Sequence, residues 1–556
     1  MRRTSLVVLF SVAIAAPVGA QQPSAPAGLR LTVDDAVKMA LDHNVDLAGD
    51  RFDPQISDAQ VAAAAGVFKP VFNTGVNRNN QLQAPSSFLV PTATRTDVVT
   101  SSAGVNQALP WFGTSYNVAW NATHTDSNSF LNSYNPLVQS GLTLNVSQPL
   151  VRNLFIDPAR QQLATSRINR DISDTRVRES VVRTTANVKT AYWNLVAAHA
   201  NVDARRSALD LAQELARVNK AKVDVGQSPP LDLVSAQAEV AADQEQLIVA
   251  ETAVKEAEDQ LRVLIFDPTD LGNWKVAVEA IDSPPVATVA PDVDAAIATA
   301  LRDRTDLVRA RKDIETAETT VKFTGNQRLP DVRLNASYIA TGLGGTQVLR
   351  TGGFPGTIVG PGDVTSFGSV LNQLFSSNYP TWVAGVSVSY PIGESADEAN
   401  YARAKLSRAQ SETRLKGAEG RAIQQVRDAA WKIEMNAKRI ETTRAARELA
   451  EQRLDAERKR YEVGMSTSFL VIQAQRDLAQ AKTNELGAVL SYDLSLVDFE
   501  ALQEAGPAGQ SPSTAGAPVA GSAAPAAVPA GTTGQPAAAG VATVGAATTG
   551  SLFGRQ

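Results

Sequence analysis

No cysteine occurs among the 556 residues, which excludes a disulfide framework, a thiolate metal site and a lipid anchor on a cysteine after an export signal. No stretch approaches the roughly eighteen consecutive apolar residues of a membrane-spanning helix, so the one remaining way across a bilayer is a β-barrel. The charge is nearly balanced, at −5, and no basic face is concentrated enough to suit a nucleic acid. Histidine is scarce: His43, His124 and His199 stand in unrelated contexts and read as surface or packing residues. There is no Gly-x-Ser-x-Gly, no His-Glu-x-x-His and no phosphate-cradling Gly-x-x-x-x-Gly-Lys-Ser/Thr. The chain therefore reads as a non-enzyme with no cofactor and no metal. Without a nucleotide site, any transport it serves draws its energy from a partner.

What is present is a duplication. Val188 to Trp193 matches Val426 to Trp431, Val225-Gly226 matches Val463-Gly464, and Ala236-Gln237 matches Ala474-Gln475, all at an offset of 238. Val33 to Leu47 aligns with Val293 to Leu307 at an offset of 260. Such a period is too long for a solenoid unit and implies two copies of one large module. Ahead of them, Arg2-Arg3, the short apolar stretch Leu6 to Ala16 and Val18-Gly19-Ala20 have the form of an export signal.

Each module reads as helix, strands, long helix, turn, long helix. The first opening helix begins after Thr32 and ends at Gly66 to Pro70; its counterpart opens at Asp292 and ends at Gly325 to Pro330. Period-two strands follow at Leu142 to Ser147, Tyr116 to Asn121, Val332 to Tyr338 and Trp382 to Tyr390, with one face apolar and the other small and polar. That is the pattern of a membrane barrel, and a soluble sandwich is the alternative. A further hairpin, Val98 to Leu109 turning at Pro110 to Gly113, has room in the first module, and the pattern leaves open whether it lies in the wall or elsewhere. Thr341 to Pro380 and Ser127 to Leu137 read as long outward loops.

Pro158 to Val225 contains no internal proline or glycine, and at ~1.5 Å per residue it makes roughly 100 Å of helix. Leu231 to Phe266 returns, and Glu398 to Val463 with Ser468 to about Gln503 repeats the pair. The predicted contact residues are alanines, among them Ala197, Ala212, Ala236, Ala238, Ala241 and Ala242. Rods this thin bury little area alone and call for an oligomer. Trp193 and Trp431 read as packing residues at helix crossings. Gly226 and Gly464 end the outgoing helices, and Ser228, Ser466 and Thr467 are candidate caps for the returning ones.

The opening Leu31-Thr-Val-Asp-Asp-Ala-Val to Asn44, the Tyr461-Glu-Val-Gly464 turn followed by Ala474 and Leu478, and the duplication together resemble the TolC-type outer-membrane efflux proteins over Leu31 to Gln503. The resemblance implies an α+β membrane protein: a homotrimer with one outer-membrane β-barrel, surrounded by lipid and continued by a long periplasmic α-helical barrel. It implies an exit duct for a tripartite efflux pump or type I secretion system, opened at its periplasmic tip by a periplasmic adaptor protein and an inner-membrane transporter. A periplasmic coiled-coil adaptor or scaffold and a stand-alone porin remain as alternatives. The family's tip constriction uses an aspartate and a tyrosine–arginine pair; Asp232 matches the aspartate and Tyr461 the tyrosine, while Ser466 stands at the arginine position. A weaker hydrogen-bonded latch among Asp232, Tyr461 and Ser466, beside Gly226 and Gly464, is the expectation.

The partition expected is a signal peptide at 1–20, opening helices at 21–68, barrel strands and loops at 69–150, and a long hairpin at 151–266. An equatorial linker at 267–291 leads to a second opening helix at 292–330, strands and loops at 331–392, a second hairpin at 393–504 and a disordered Ala/Gly/Pro-rich tail at 505–556.

Overall fold

The computed structural model describes residues 29–85, 92–129, 132–283, 290–353, 356–393 and 395–507, all within one compact unit, Met1–Gly509. The export signal over 1–20 and the tail from 508 onward lie outside them.

After a short strand β1 (Leu29–Leu31), Thr32 caps α1 (Val33–His43) by a capping box with Asp35. The opening helical stretch is broken into three, with α2 (Val45–Asp50) and α3 (Asp53–Gly66) following. The break is at Asn44, whose extended backbone stops α1 while its side chain accepts from the Leu47 amide, 2.9 Å, to start α2. The second opening stretch is likewise two helices, α6 (Val293–Asp303) and α7 (Thr305–Gln327), parted at Arg304; α7 runs straight through Gly325.

Seven strands form one antiparallel sheet: β2 (Val71–Gln83), β3 (Thr94–Ala108), β4 (Ser115–Ser127), β5 (Tyr134–Pro149), β7 (Asp331–Thr351), β8 (Thr357–Thr365) and β9 (Tyr379–Ser389). The order is β2-β3-β4-β5-β7, and β9 and β8 share the far side of β7, pairing its first and last parts respectively. The hairpin at Pro110 to Gly113 is therefore in the sheet. The described part of Thr341 to Pro380 is not a plain loop: it holds the end of β7, β8 and the short helix α8 (Phe367–Phe375). Glycine makes room for that helix: a Cβ on Gly342 would lie 2.3 Å from the Val370 carbonyl oxygen.

Residues paired directly across a sheet share a face. One row, Phe72–Val105–Val118–Leu144–Tyr338–Trp382, crosses six strands and is apolar throughout. The neighbouring row, Val71–Asn106–Asn117–Asn145–Ser337–Val383, points the other way and is largely polar.

Two helical hairpins carry the rest: α4 (Pro158–Asp224) with α5 (Pro230–Ile265), and α9 (Ala396–Glu462) with α10 (Ser468–Glu504). α9 passes Gly417 and Gly420, and α10 passes Gly487, without interruption. Between the halves, β6 (Val278–Ala280) pairs in parallel with β1. Tyr192 pins this junction: its hydroxyl donates to the Leu31 carbonyl and the Asp282 carboxylate, 3.0 and 3.1 Å, while accepting from the Asp282 amide. Burial pushes the Tyr192 phenol up to about 12, so it stays a donor at physiological pH.

The helix cores mix alanine with larger side chains. Val188, Tyr192, Leu195, Leu261 and Ile265 form one core, and Val426, Ile433, Ile440 and Tyr492 another. Ala212 and Ala236 are buried as expected, but Ala238, Ala241 and Ala242 are exposed on this chain. Trp193 packs edge-on to Tyr192 at 5.6 Å, whereas Trp431 is 57% exposed beneath the Arg427 guanidinium. Trp431, expected to pack at a helix crossing, is thus largely exposed on this chain.

Candidate functional site at the helical turns

Both hairpin turns are Schellman motifs. In the first, Gly226 (φ 75) donates to the Val223 carbonyl and Gln227 to Lys222; in the second, Gly464 (φ 77) donates to Tyr461 and Met465 to Arg460. A left-handed backbone at that position is costly for any residue with a Cβ, which is why glycine recurs there. Thr467 caps α10 through the Leu470 amide. Ser228 caps nothing: the N-cap of α5 is Pro229, which offers no side-chain acceptor.

Between the turns lies a residue that sequence reasoning did not select. Asn219, 0% exposed, accepts from the Tyr461 hydroxyl at 2.5 Å and donates to Ser468 Oγ at 2.6 Å and to the Asp232 carbonyl at 3.2 Å. One amide thus ties α4 to α5, α9 and α10. Lys222 adds a second link, donating to the Tyr461 carbonyl at 3.0 Å with its ammonium 3.7 Å from the ring centroid. Burial raises the Tyr461 phenol above its ordinary value, and the Asp232 charge adds to that, so Tyr461 remains protonated and donating. Leu215, Leu454, Val471, Ile472 and Leu478 close around it.

Tyr461 and Asp232 are therefore brought together through Asn219, with Asp232 contributing its backbone oxygen. Ser466 is turned away and donates to Glu457 of its own hairpin, 2.8 Å. Further along, Arg476 grips the nearly buried Glu239 with Nε at 2.9 and 3.0 Å from the two carboxylate oxygens, joining α10 to α5. The signal that could have found Asn219 is its helix position: asparagine is a poor helix former, here within two turns of a helix end, and its counterpart at the 238 offset is the charged Glu457.

A cavity of about 540 Å³ opens between α4, α9 and α10, lined by Trp193, Ile440, Leu486, Val489, Arg447 and Asp493 among others. Asp493 is 3% exposed, and among the described residues its Oδ1 has no hydrogen-bond partner. Burial pushes its carboxyl up to about 6. The folded chain therefore holds this proton more tightly than the unfolded one. Its contribution favours folding at low pH and is lost as pH rises from the ordinary carboxylate value to about 6, a cost of about 3 kcal/mol above that. Asp493→Asn is expected to raise the urea midpoint at pH 7.5 and leave it nearly unchanged at pH 4. Equal shifts at both pH values would refute the burial account. Among the described residues no cluster of acidic or histidine side chains could hold a metal ion.

Compared with known proteins, residues 89–265 and 296–502 match the profile of the family described as "Outer membrane efflux protein", and the chain belongs to that family. It is an outer-membrane exit duct. The fold is also that of solved channels. The Campylobacter jejuni CmeC outer membrane channel superposes with a TM-score of 0.60 at 16% identity, over 85% of each chain. The Vibrio cholerae outer membrane protein VceC gives 0.58 at 16% identity, over 85% of this chain and 96% of that one. The open state of the Neisseria gonorrhoeae MtrE outer membrane channel gives 0.56 at 17% identity, over 85% and 88%. None of the curated proteins is similar enough in sequence to match.

Proposed function

We propose that three copies of this chain form a water-filled duct, with the sheets closing one barrel in the outer membrane and the helical hairpins lining a tunnel in the periplasm. The observation that carries this reading is the state of the two outer strands. Every residue of β2 and of β9 is exposed in the single chain, including Phe72, Val76, Trp382 and Val386 on the apolar face. Two long unpaired edges with an apolar face are unstable in water. Because an even number of strands, six, runs from edge to edge, β9 of one copy runs antiparallel to β2 of the next, and the ring closes with identical contacts. Uncovered apolar residues on the long helices, Ile248 and Val249 of α5 and Trp431 and Met435 of α9, suit the same assembly.

In this reading the duct moves nothing by itself. The turns at Gly226 and Gly464 form its periplasmic tip, held shut around Asn219, Tyr461 and Lys222, with Asp232 and Ser466 beside them. A periplasmic adaptor protein docks there and opens it, and an inner-membrane transporter supplies energy. The partition into two modules, each strands then hairpin, follows from the same picture. Deleting the gene tests the function: increased sensitivity to toxic small molecules assigns drug efflux, and loss of a secreted protein assigns type I secretion. A strain unchanged in both respects would overturn the reading.

A further inference from the structure

The two halves of the chain contribute unequally to the sheet. The second half supplies two strands that run from the helical end, β7 and β9, with β8 covering only the last part of β7. The first half supplies four, and the additional pair is the β3–β4 hairpin. Its pairing is unbroken, from Thr96 opposite Ser127 to Ala108 opposite Ser115, and it is flanked along its length by β2 and β5. Its turn is built into the helical end of the sheet. Phe112 and Gly113 are left-handed (φ 55 and 65), and a Cβ on Gly113 would lie 2.5 Å from the Asn153 carbonyl oxygen, just ahead of α4. The Gln148 amide also donates to the Phe112 carbonyl, 2.9 Å. A hairpin held this way is part of the wall.

The polar face of that wall is also unusual in its charge. Along the six strands it presents asparagine, serine, threonine and glutamine, with cross-strand hydrogen bonds such as Asn73 to Asn106 and Ser147 to Asn335. From the first rung to Gly345, its only ionic residues are Asp331 and Arg333, which pair with each other at the helical end, 2.9 Å. Arg78, Arg95, Asp97 and Asp126 lie on the opposite, apolar face, toward its loop end.

We infer that the barrel has eighteen strands, six per copy, and that its mouth admits bulky, hydrated, polymer-sized cargo of either charge without sorting it. This rests on the three-copy duct proposed above. Barrel diameter grows nearly in proportion to strand number, so the mouth is about one and a half times as wide as two strands per half would give. At a strand spacing of ~4.8 Å and a tilt near 40°, that is roughly 36 Å between backbones against roughly 24 Å. A neutral amide- and hydroxyl-lined wall offers hydrogen bonds to any hydrated chain and no field to repel an ion.

Single-particle imaging of the purified native protein, combined with polymer exclusion in planar bilayers, tests this. The expected map shows three copies and eighteen strands in cross-section. Poly(ethylene glycol) of ~10 Å hydrated radius, added on the loop side, is expected to enter and lower conductance, because the wider bore exceeds it after side chains are subtracted. Three copies around a twelve-stranded wall, with β3–β4 displaced and the polymer excluded, would overturn the inference and leave the duct intact. A particle of another copy number would overturn the duct reading itself.

Discussion

Arginine at both Trp382 and Val386 is expected to abolish membrane assembly, whereas arginine at both Gly385 and Ser387 leaves it intact. The four positions share one strand and differ only in the face they present. Trp382 and Val386 continue the apolar rows through Tyr338 and Leu334; Gly385 and Ser387 continue the polar ones through Asn335 and Arg333. A lipid-facing arginine costs about 2–4 kcal/mol near the bilayer midplane. Two per copy in three copies come to about 12–24 kcal/mol, as large as or larger than the ~5–15 kcal/mol that holds a typical fold together. On the polar face the guanidinium stays in water, and the open space around Gly385 accepts a side chain. Membrane flotation followed by native mass spectrometry reads the outcome. Equal tolerance of both pairs would mean that the faces are assigned wrongly.

The second large effect is expected at Asn219. Replacing it with alanine removes the Asn219 partner of the Tyr461 hydroxyl and of Ser468 Oγ in a closed apolar setting, at about 1–3 kcal/mol for each group left unpaired, while the Asp232 carbonyl keeps its place in the α5 ladder. The hairpins part there first, and basal single-channel conductance rises severalfold. Tyr461→Phe removes one bond, near 1 kcal/mol, but keeps the ring beneath Lys222, so its rise is smaller. Asp232→Ala keeps the carbonyl that Asn219 uses, and Ser466→Ala breaks a contact confined to one hairpin; both are expected to change conductance least. The order Asn219, Tyr461, then Asp232 and Ser466 is the test. An Asp232 variant that leaks more than the Asn219 variant would return the latch to the carboxylate.

Local chemistry made much of this chain legible in advance. The long helices announce themselves by lacking internal proline, and in α4 also glycine, until Gly226 and Gly464, where the left-handed turn demands one. Strands such as Tyr379–Ser389 show their alternation directly. β2 was missed because Arg78 and Asn80 interrupt its apolar side toward the loop end, and β8 and α8 because glycine-rich text hides order that depends on packing against β7. Asn219 was invisible for a different reason. Its partners Tyr461 and Ser468 lie about 250 residues away, and no pattern within one helix reveals a bond between two. The alanines misled in the same way: Ala238, Ala241 and Ala242 await a surface that this chain does not supply to itself.

The tie between β1 and β6 carries a consequence for biogenesis. Leu29 is paired with Val278, and the Val33 amide donates to Asp282 at 2.7 Å. The start of the chain thus closes on a segment 249 residues downstream, a loop whose closure is slow. A nascent polypeptide cannot lock its Leu29–Val33 segment until Asp282, beyond half of its 556 residues, has been made.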